Sequence, residues 1–361
     1  MEWRSGDRPK MSERPESNPR PRLRTIKELL EDKGVSQPAK TIGDYLNVIR
    51  SITERWQEAD WKATESDELY LLNNVRLVGQ VWFRGQRNCS HGLQPGLYRA
   101  KTSENLRKQP GSPVPEEEDA NRFDELFDLE HELRIDFTSY GHLLNEANHA
   151  KTAIDWYFLM QHHRLPTRLL DWTTNALAAL FFALEDYSAE RESLPEGSSA
   201  LDPFISVWMV DAYWLADKLS SEWSSPLLAW SVDAARYIPP LETLIDKMGD
   251  SKALLPGHAM PIEPPAMHPR VASQEGRFII FGRTEDLLKE NVRLEQREDC
   301  SGIEELRLEQ IKFSVEDVDA LMRDLAQLGV SRRTLFPDLT GLADFVRWKH
   351  FHKVGGYRAG H

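Results

Sequence analysis

Cysteine is scarce: the 361-residue chain carries only Cys89 and Cys300, too few for a disulfide framework in a chain of this length, and no Cys-x-x-Cys pair points to a zinc ribbon. A reducing compartment, the cytoplasm, is the expectation. Long apolar runs are also missing. The longest, Ala176 to Leu184, falls far short of the roughly 20 residues a membrane-spanning helix needs, and the charged, Pro-rich N-terminus lacks the apolar core of a secretory signal. Positive charge is in deficit, with 45 Lys+Arg against 58 Asp+Glu and a formal net charge of −13. A surface built wholly for nucleic-acid phosphates is therefore not favoured. The P-loop, G-x-G-x-x-G, H-E-x-x-H and G-x-S-x-G signatures are all absent, which removes the enzyme classes that depend on them.

What is present is the material of a large core. Hydrophobic residues make up 40% of the chain and aromatics 9%, with 11 Trp among them, a composition that excludes extended disorder. Residues 1–38 read as a flexible arm, 39–353 as a single domain and 354–361 as a tail. Thr41 and Asp44 form a capping pattern for a helix whose apolar face is Tyr45, Val48, Ile49, Ile52 and Trp56, placed ahead of the domain proper. Val78 to Phe83 reads as a buried strand ending at Arg84 and Gly85. Gln109 to Glu118 reads as a loop, followed by a long helix through Phe123, Leu126, Phe127, Glu130, Leu133 and Phe137. Thr152 and Asp155 cap a further helix, and Asn175 caps the apolar one after it.

Phe204 to Val210 and Arg277 to Gly282 read as strands, and between them the Pro-broken stretch 220–265, with Trp223 and Trp230, reads as an insertion or lid. Alternation along Glu304 to Phe313 slips phase before Ile311, as a bulge would make it do. Ser314 and Asp317 cap the next helix, Gly329 closes it, and a last helix starts near Thr340. Helices clustered ahead of mixed strands indicate an α+β fold, with a mixed, mostly antiparallel sheet flanked by helices.

Polar residues interrupt apolar context in three places, and each interruption needs a reason because an unpartnered buried charge is costly. In the first, Trp82-Phe83-Arg84-Gly85, an arginine at a strand mouth has the fixed fork that clamps phosphate or carboxylate, and Gly85 would let a ligand approach the backbone; an internal ion pair is the alternative. The second runs from Gln161 to Thr173 and holds His162, His163, Thr167, Arg168, Asp171 and Trp172 between two apolar helices. Adjacent histidines on a helix point about 100° apart, so a shared metal is disfavoured, and Arg168 with Asp171 is either a mutual ion pair or part of a pocket. In the third, Arg270 to Phe278, Gln274 and Glu275 precede a strand, Gly276 gives backbone room, and a carboxylate there is placed to act on a sugar hydroxyl or a water.

Together these clusters resemble the FRG domain family. Phe83-Arg84-Gly85 is similar to its naming motif, Gln161 to Thr173 to its long central segment, Ala179 to Ala183 to the helix that follows, Arg270 to Phe278 to a third motif, and Leu335 to Ala343 to its C-terminal signature. Arg164 stands where glycine is common. A weaker likeness, carried by Arg84 alone, is to ADP-ribosyltransferases of the Arg-Ser-Glu type. It implies an ADP-ribosyltransferase-like fold with NAD as substrate; no metal is expected. In that picture Arg84 holds phosphate, Trp172 or Trp82 stacks on a base, Asp171 and a histidine order the pocket, and Glu275, beside Gln274, stabilises the charge left as nicotinamide departs.

The resulting expectation is a nucleotide-binding enzyme that cleaves NAD or transfers ADP-ribose to an acceptor macromolecule, as a stress or phage-defence effector. Its catalytic residues would be Arg84, Asp171, Gln274 and Glu275. Phe83, Gly85, His162, His163, Thr167, Arg168, Trp172, Thr173 and Gly276 would bind the ligand. The alternatives are a phosphodiesterase or nuclease using His162, His163 and Asp171, and a non-catalytic nucleotide- or peptide-sensing module.

Overall fold

The computed structural model describes residues 38–63, 80–99, 116–144, 150–193, 202–220, 222, 225–239, 255–264, 269–288 and 307–351. The arm before Pro38, residues 109–115, Trp223, Cys300 and the tail lie outside them. Among the described residues seven strands form one sheet in the order β4-β5-β6-β2-β1-β3-β7. They are β1 (Val81–Gln86), β2 (Leu169–Thr173), β3 (Phe204–Asp211), β4 (Leu227–Leu228), β5 (Ala259–Glu263), β6 (Gly276–Phe281) and β7 (Leu308–Ser314). Every pairing is antiparallel except β4 with β5. The fold is α+β, with a mixed, mostly antiparallel sheet flanked by helices.

Both faces of the sheet are covered, which explains why its strands are apolar on both sides. One face carries Phe83, Ile205, Val207, Ile311 and Phe313 against α1 (Ile42–Ala63), α4 (Ala176–Ser193) and α8 (Val318–Gln327). Leu169, Phe278 and Ile280 continue that face under α3 (Ala153–His162). The other face carries Trp82, Leu170, Trp172, Trp208 and Phe281 against Leu126 and Phe127 of α2 (Glu116–Gly141) and Leu215 of α5 (Ala212–Leu219).

Local signals hold where chemistry is local. Thr41 and Asp44 exchange main-chain to side-chain bonds at 3.0 and 3.1 Å, Thr152 and Asp155 do the same, and Asn175 Oδ1 accepts from Leu177 and Ala178. Gly329, at φ 88°, follows the end of α8.

Several expectations change. The first helix is not ahead of the domain: Tyr45 and Trp56 of α1 are fully buried in the common core. β1 runs on through Arg84 and Gly85 to Gln86, because its ladder to β3 continues to Gln86 with Ser206. The loop expected up to Glu118 gives way to α2 at Glu116. β7 has no bulge, since its register with β3 is unbroken from Leu308 to Ser314; the phase slip arises because Leu308 enters one core and Ile311 and Phe313 the other. Ser314 is the last residue of β7, and Asp317 alone caps α8, accepting from Ala320. In the 220–265 stretch, β4, β5 and the short α6 (Ala234–Tyr237) extend the sheet and fill its core.

Two further short helices, α7 (Pro269–Ser273) and α9 (Arg332–Leu335), precede β6 and α10 (Leu339–Phe351) respectively. At the outer strand the main chain of Ala39 bonds Lys312 and Ser314 at 3.0 and 2.8 Å.

Candidate functional site

β1 and β2 pair at one position only, Phe83 with Thr173, and part beyond it. The parting opens a cleft of about 440 Å³ walled by α3, α4, α7 and the turn Leu97–Arg99. Phe83, Arg84 and Gly85 of the first motif, His162, Asp171, Trp172 and Thr173 of the second, and Gln274 and Gly276 of the third all line it. The three sequence clusters therefore meet in one place.

Arg84 sits at the parting. Its Nη1 donates to the main-chain oxygen of Asp171 at 2.8 Å, so the side chain takes the place of a missing ladder bond. Its Nε is buried with no hydrogen-bond partner among the described residues. Burial pushes the guanidinium below its ordinary value and Arg99 adds to this, while Asp171 and Asp186 hold it up. The Asp171 carboxylate is positioned by Gln161 Nε2 at 2.8 Å, and Thr167 Oγ1 donates in turn to Gln161 Oε1. Thr167 thus supports the site from behind, fully buried and off the cleft wall.

Other expected residues are drawn elsewhere. Arg168 is 1% exposed and off the cleft. It pairs with Glu130 at 2.9 Å and donates to the carbonyls of Phe281 and Tyr237, while Tyr157 donates its hydroxyl to the same Glu130. It does not pair with Asp171, and through Glu130 it ties α2 to the sheet. Gly85 lines the cleft, yet a Cβ there would collide with the main-chain oxygen of Ala179; its bareness lets α4 lie on the sheet. Trp82 is fully buried in the core of the opposite face and off the cleft wall, so its ring is not set to stack on a base there; Trp172 lines the cleft and is buried in that same core cluster. Thr173 Oγ1 donates to Gln274 O at 2.6 Å.

His163 turns away from the cleft toward Phe137, its ring 86° to that of His162. Among the described residues no three His, Cys, Asp or Glu side chains stand together as a metal-ion site. Glu275 has φ 49° and is off the cleft wall, its carboxylate held by Thr174 Oγ1 at 2.7 Å and Asn175 Nδ2 at 3.4 Å. The carboxylates that do line the cleft are Asp171 and Asp186. Partial burial raises Asp186 above its ordinary value, and Arg84, Arg87 and Arg164 oppose that rise.

Arg99, Arg164, Asp186 and Arg270 complete the polar wall, and none was singled out as a site residue from sequence. Arg270 was visible as the first residue of the third motif. Arg99 and Asp186 carry no local signal, being set in place by chain segments far apart in sequence. Arg270 lies 4.2 Å from the centre of the Phe336 ring, while Ser273 and Gln274 donate to Leu335 O at 3.0 and 3.1 Å. The Leu335-Phe336 stretch thus braces α7 against the cleft.

Residues 79–192 match the family model of the FRG domain, so the chain carries an FRG domain there. The match spans β1 to α4 and includes Arg84 and Asp171; the Arg270 to Phe278 and Leu335 to Ala343 stretches fall beyond it. No curated protein and no solved structure matches the chain. Among the described residues no helix is long and apolar enough to cross a membrane.

Proposed function

We propose that the cleft binds a small phosphate-bearing ligand of nucleotide type. The observation that carries this reading is Arg84, held at the parting of β1 and β2 with a buried Nε that no group among the described residues satisfies. An arginine costs least in such a place when an anion completes its fork. Four arginines against two aspartates on the cleft wall give the surplus positive charge that a phosphate needs, and Phe83, Phe158, Phe182 and Phe278 supply apolar wall for a base.

Cleavage of NAD with loss of nicotinamide is the finer form of this reading. The carboxylate stabilising the departing charge would then be Asp171 or Asp186, since Glu275 is engaged outside the cleft. Nicotinamide release from NAD by purified protein, with cell extract supplying acceptors, tests it beside Arg84→Lys and Arg84→Ala. Release that vanishes in both variants is the expected result. Binding without turnover would assign the cleft to a sensing module, and no binding of AMP, ADP or NAD in calorimetry would overturn the nucleotide reading.

A further inference from the structure

Arg164 occupies a position that an arginine has no conformational reason to fill. Its φ is 62°, in the left-handed region that glycine enters freely and a side chain enters at a cost of about 1 kcal/mol. Its main-chain N–H closes the end of α3 onto Gln161 O at 3.0 Å, a bond glycine would make equally well. Among the described residues the guanidinium makes no hydrogen bond or ion pair, yet it lines the cleft and is exposed. Its surrounding charge is of both signs: Arg164 helps hold the Asp186 carboxyl down against burial, while Arg270 is pushed below its ordinary value first by burial and next by Arg164 itself. A strained backbone, a like-charged neighbour and no hydrogen bond or ion pair among the described residues leave only the more distant pull of Asp186 as a return inside the free protein, and such residues gather where a ligand is met.

We infer that Arg164 is a ligand-contacting, specificity-determining residue that adapts the cleft to a ligand carrying two negative charges on its phosphates, a phosphate dianion or a pyrophosphate diester. With it, four cleft arginines outnumber Asp171 and Asp186 by two; with glycine in its place, by one. The inference rests on the phosphate-binding reading above, and specifies which residue sets the charge preference of that site.

The test is Arg164→Gly, with Arg164→Ala alongside because alanine keeps the strain. Binding of inorganic pyrophosphate, AMP, NAD and uncharged adenosine is measured by calorimetry, and thermal unfolding is followed without ligand. Removing a charge-assisted contact should weaken the phosphate-bearing probes about tenfold or more and leave adenosine unchanged, while Arg164→Gly melts at or above the wild-type temperature. The two signs together separate a ligand contact from a structural role. A lower melting temperature for Arg164→Gly, or phosphate binding equal to wild type, overturns the inference. Wild-type binding of pyrophosphate that Arg164→Gly loses, without binding of any nucleotide, supports the role of Arg164 while overturning the nucleotide reading. No binding of any probe by wild type overturns both.

Discussion

Arg84 and Asp171 meet through the backbone: the Arg84 guanidinium donates to the main-chain oxygen of Asp171 at 2.8 Å, on the strand from which β1 has just parted. The arginine therefore has two duties. One edge of its fork satisfies a carbonyl that the sheet leaves open, and the rest is presented with the cleft wall. Arg84→Ala should lose ligand binding and also cost about 1–3 kcal/mol, the usual penalty for stranding a buried acceptor. Arg84→Lys should keep most of the stability and still bind poorly, because an ammonium cannot serve carbonyl and anion as a planar fork does. Chemical denaturation together with calorimetry separates the two effects, and equal stability loss in both variants would contradict the division.

Arg168 belongs to the fold. Arg168→Met should destabilise by about 3–5 kcal/mol, since Glu130 would be left buried and charged. Pairing it with Glu130→Leu should recover much of that loss, with Tyr157 then surrendering its acceptor. A double-mutant cycle in urea measures both quantities. If the single and double variants lose equal stability, the pair is not the unit described here.

Gly85→Ala should open the sheet from α4. The added methyl would meet the Ala179 carbonyl and the Ala183 main-chain nitrogen, neither of which can move without moving the helix, so a loss of about 1–3 kcal/mol is expected. The readout is the melting temperature; ligand affinity should fall as well because Phe182 of α4 forms part of the cleft wall. A variant of wild-type stability would refute the close approach.

Asp186 predicts a pH dependence. Its carboxyl titrates above its ordinary value of 3.8, burial being the leading cause. The folded state thus holds a proton that the unfolded chain has released, and the group's contribution to stability is present below the unfolded value and declines as pH rises through the folded one. Asp186→Asn should remove this decline and melt higher than wild type at neutral pH. Melting curves for both proteins between pH 3 and pH 7 check it; parallel pH profiles would exclude Asp186 as the source.

Those features that depend on near neighbours in sequence were legible before the structure: the capping pairs Thr41 with Asp44 and Thr152 with Asp155, the Asn175 cap, and the motif residues Arg84, Asp171 and Gln274. Arg168 was misread because its partner, Glu130, lies 38 positions upstream on another element. Nothing in the alternation of a short segment encodes such a pairing. Arg84 was singled out by its apolar context and lines the cleft, but its bond is to a main-chain oxygen, which no residue type announces. Glu275 was assigned from chemistry alone, whereas its position depends on a left-handed turn that points its carboxylate to Thr174. The mistaken bulge in β7 shows a related limit: a strand packed on both faces loses the alternation that reports its register.

The short stretch at Ala39 has a further consequence for the protein in concentrated solution. An outer strand with open amide and carbonyl groups is a template onto which a strand of another molecule can add. Beside Phe313 that template is already occupied by the chain's own backbone, Ala39 taking both the Lys312 oxygen and the Ser314 amide. At the opposite rim β4 is two residues long, too brief to guide an incoming strand. Crowding should therefore find no free template at the Lys312–Ser314 end of β7, and only a two-residue one at β4.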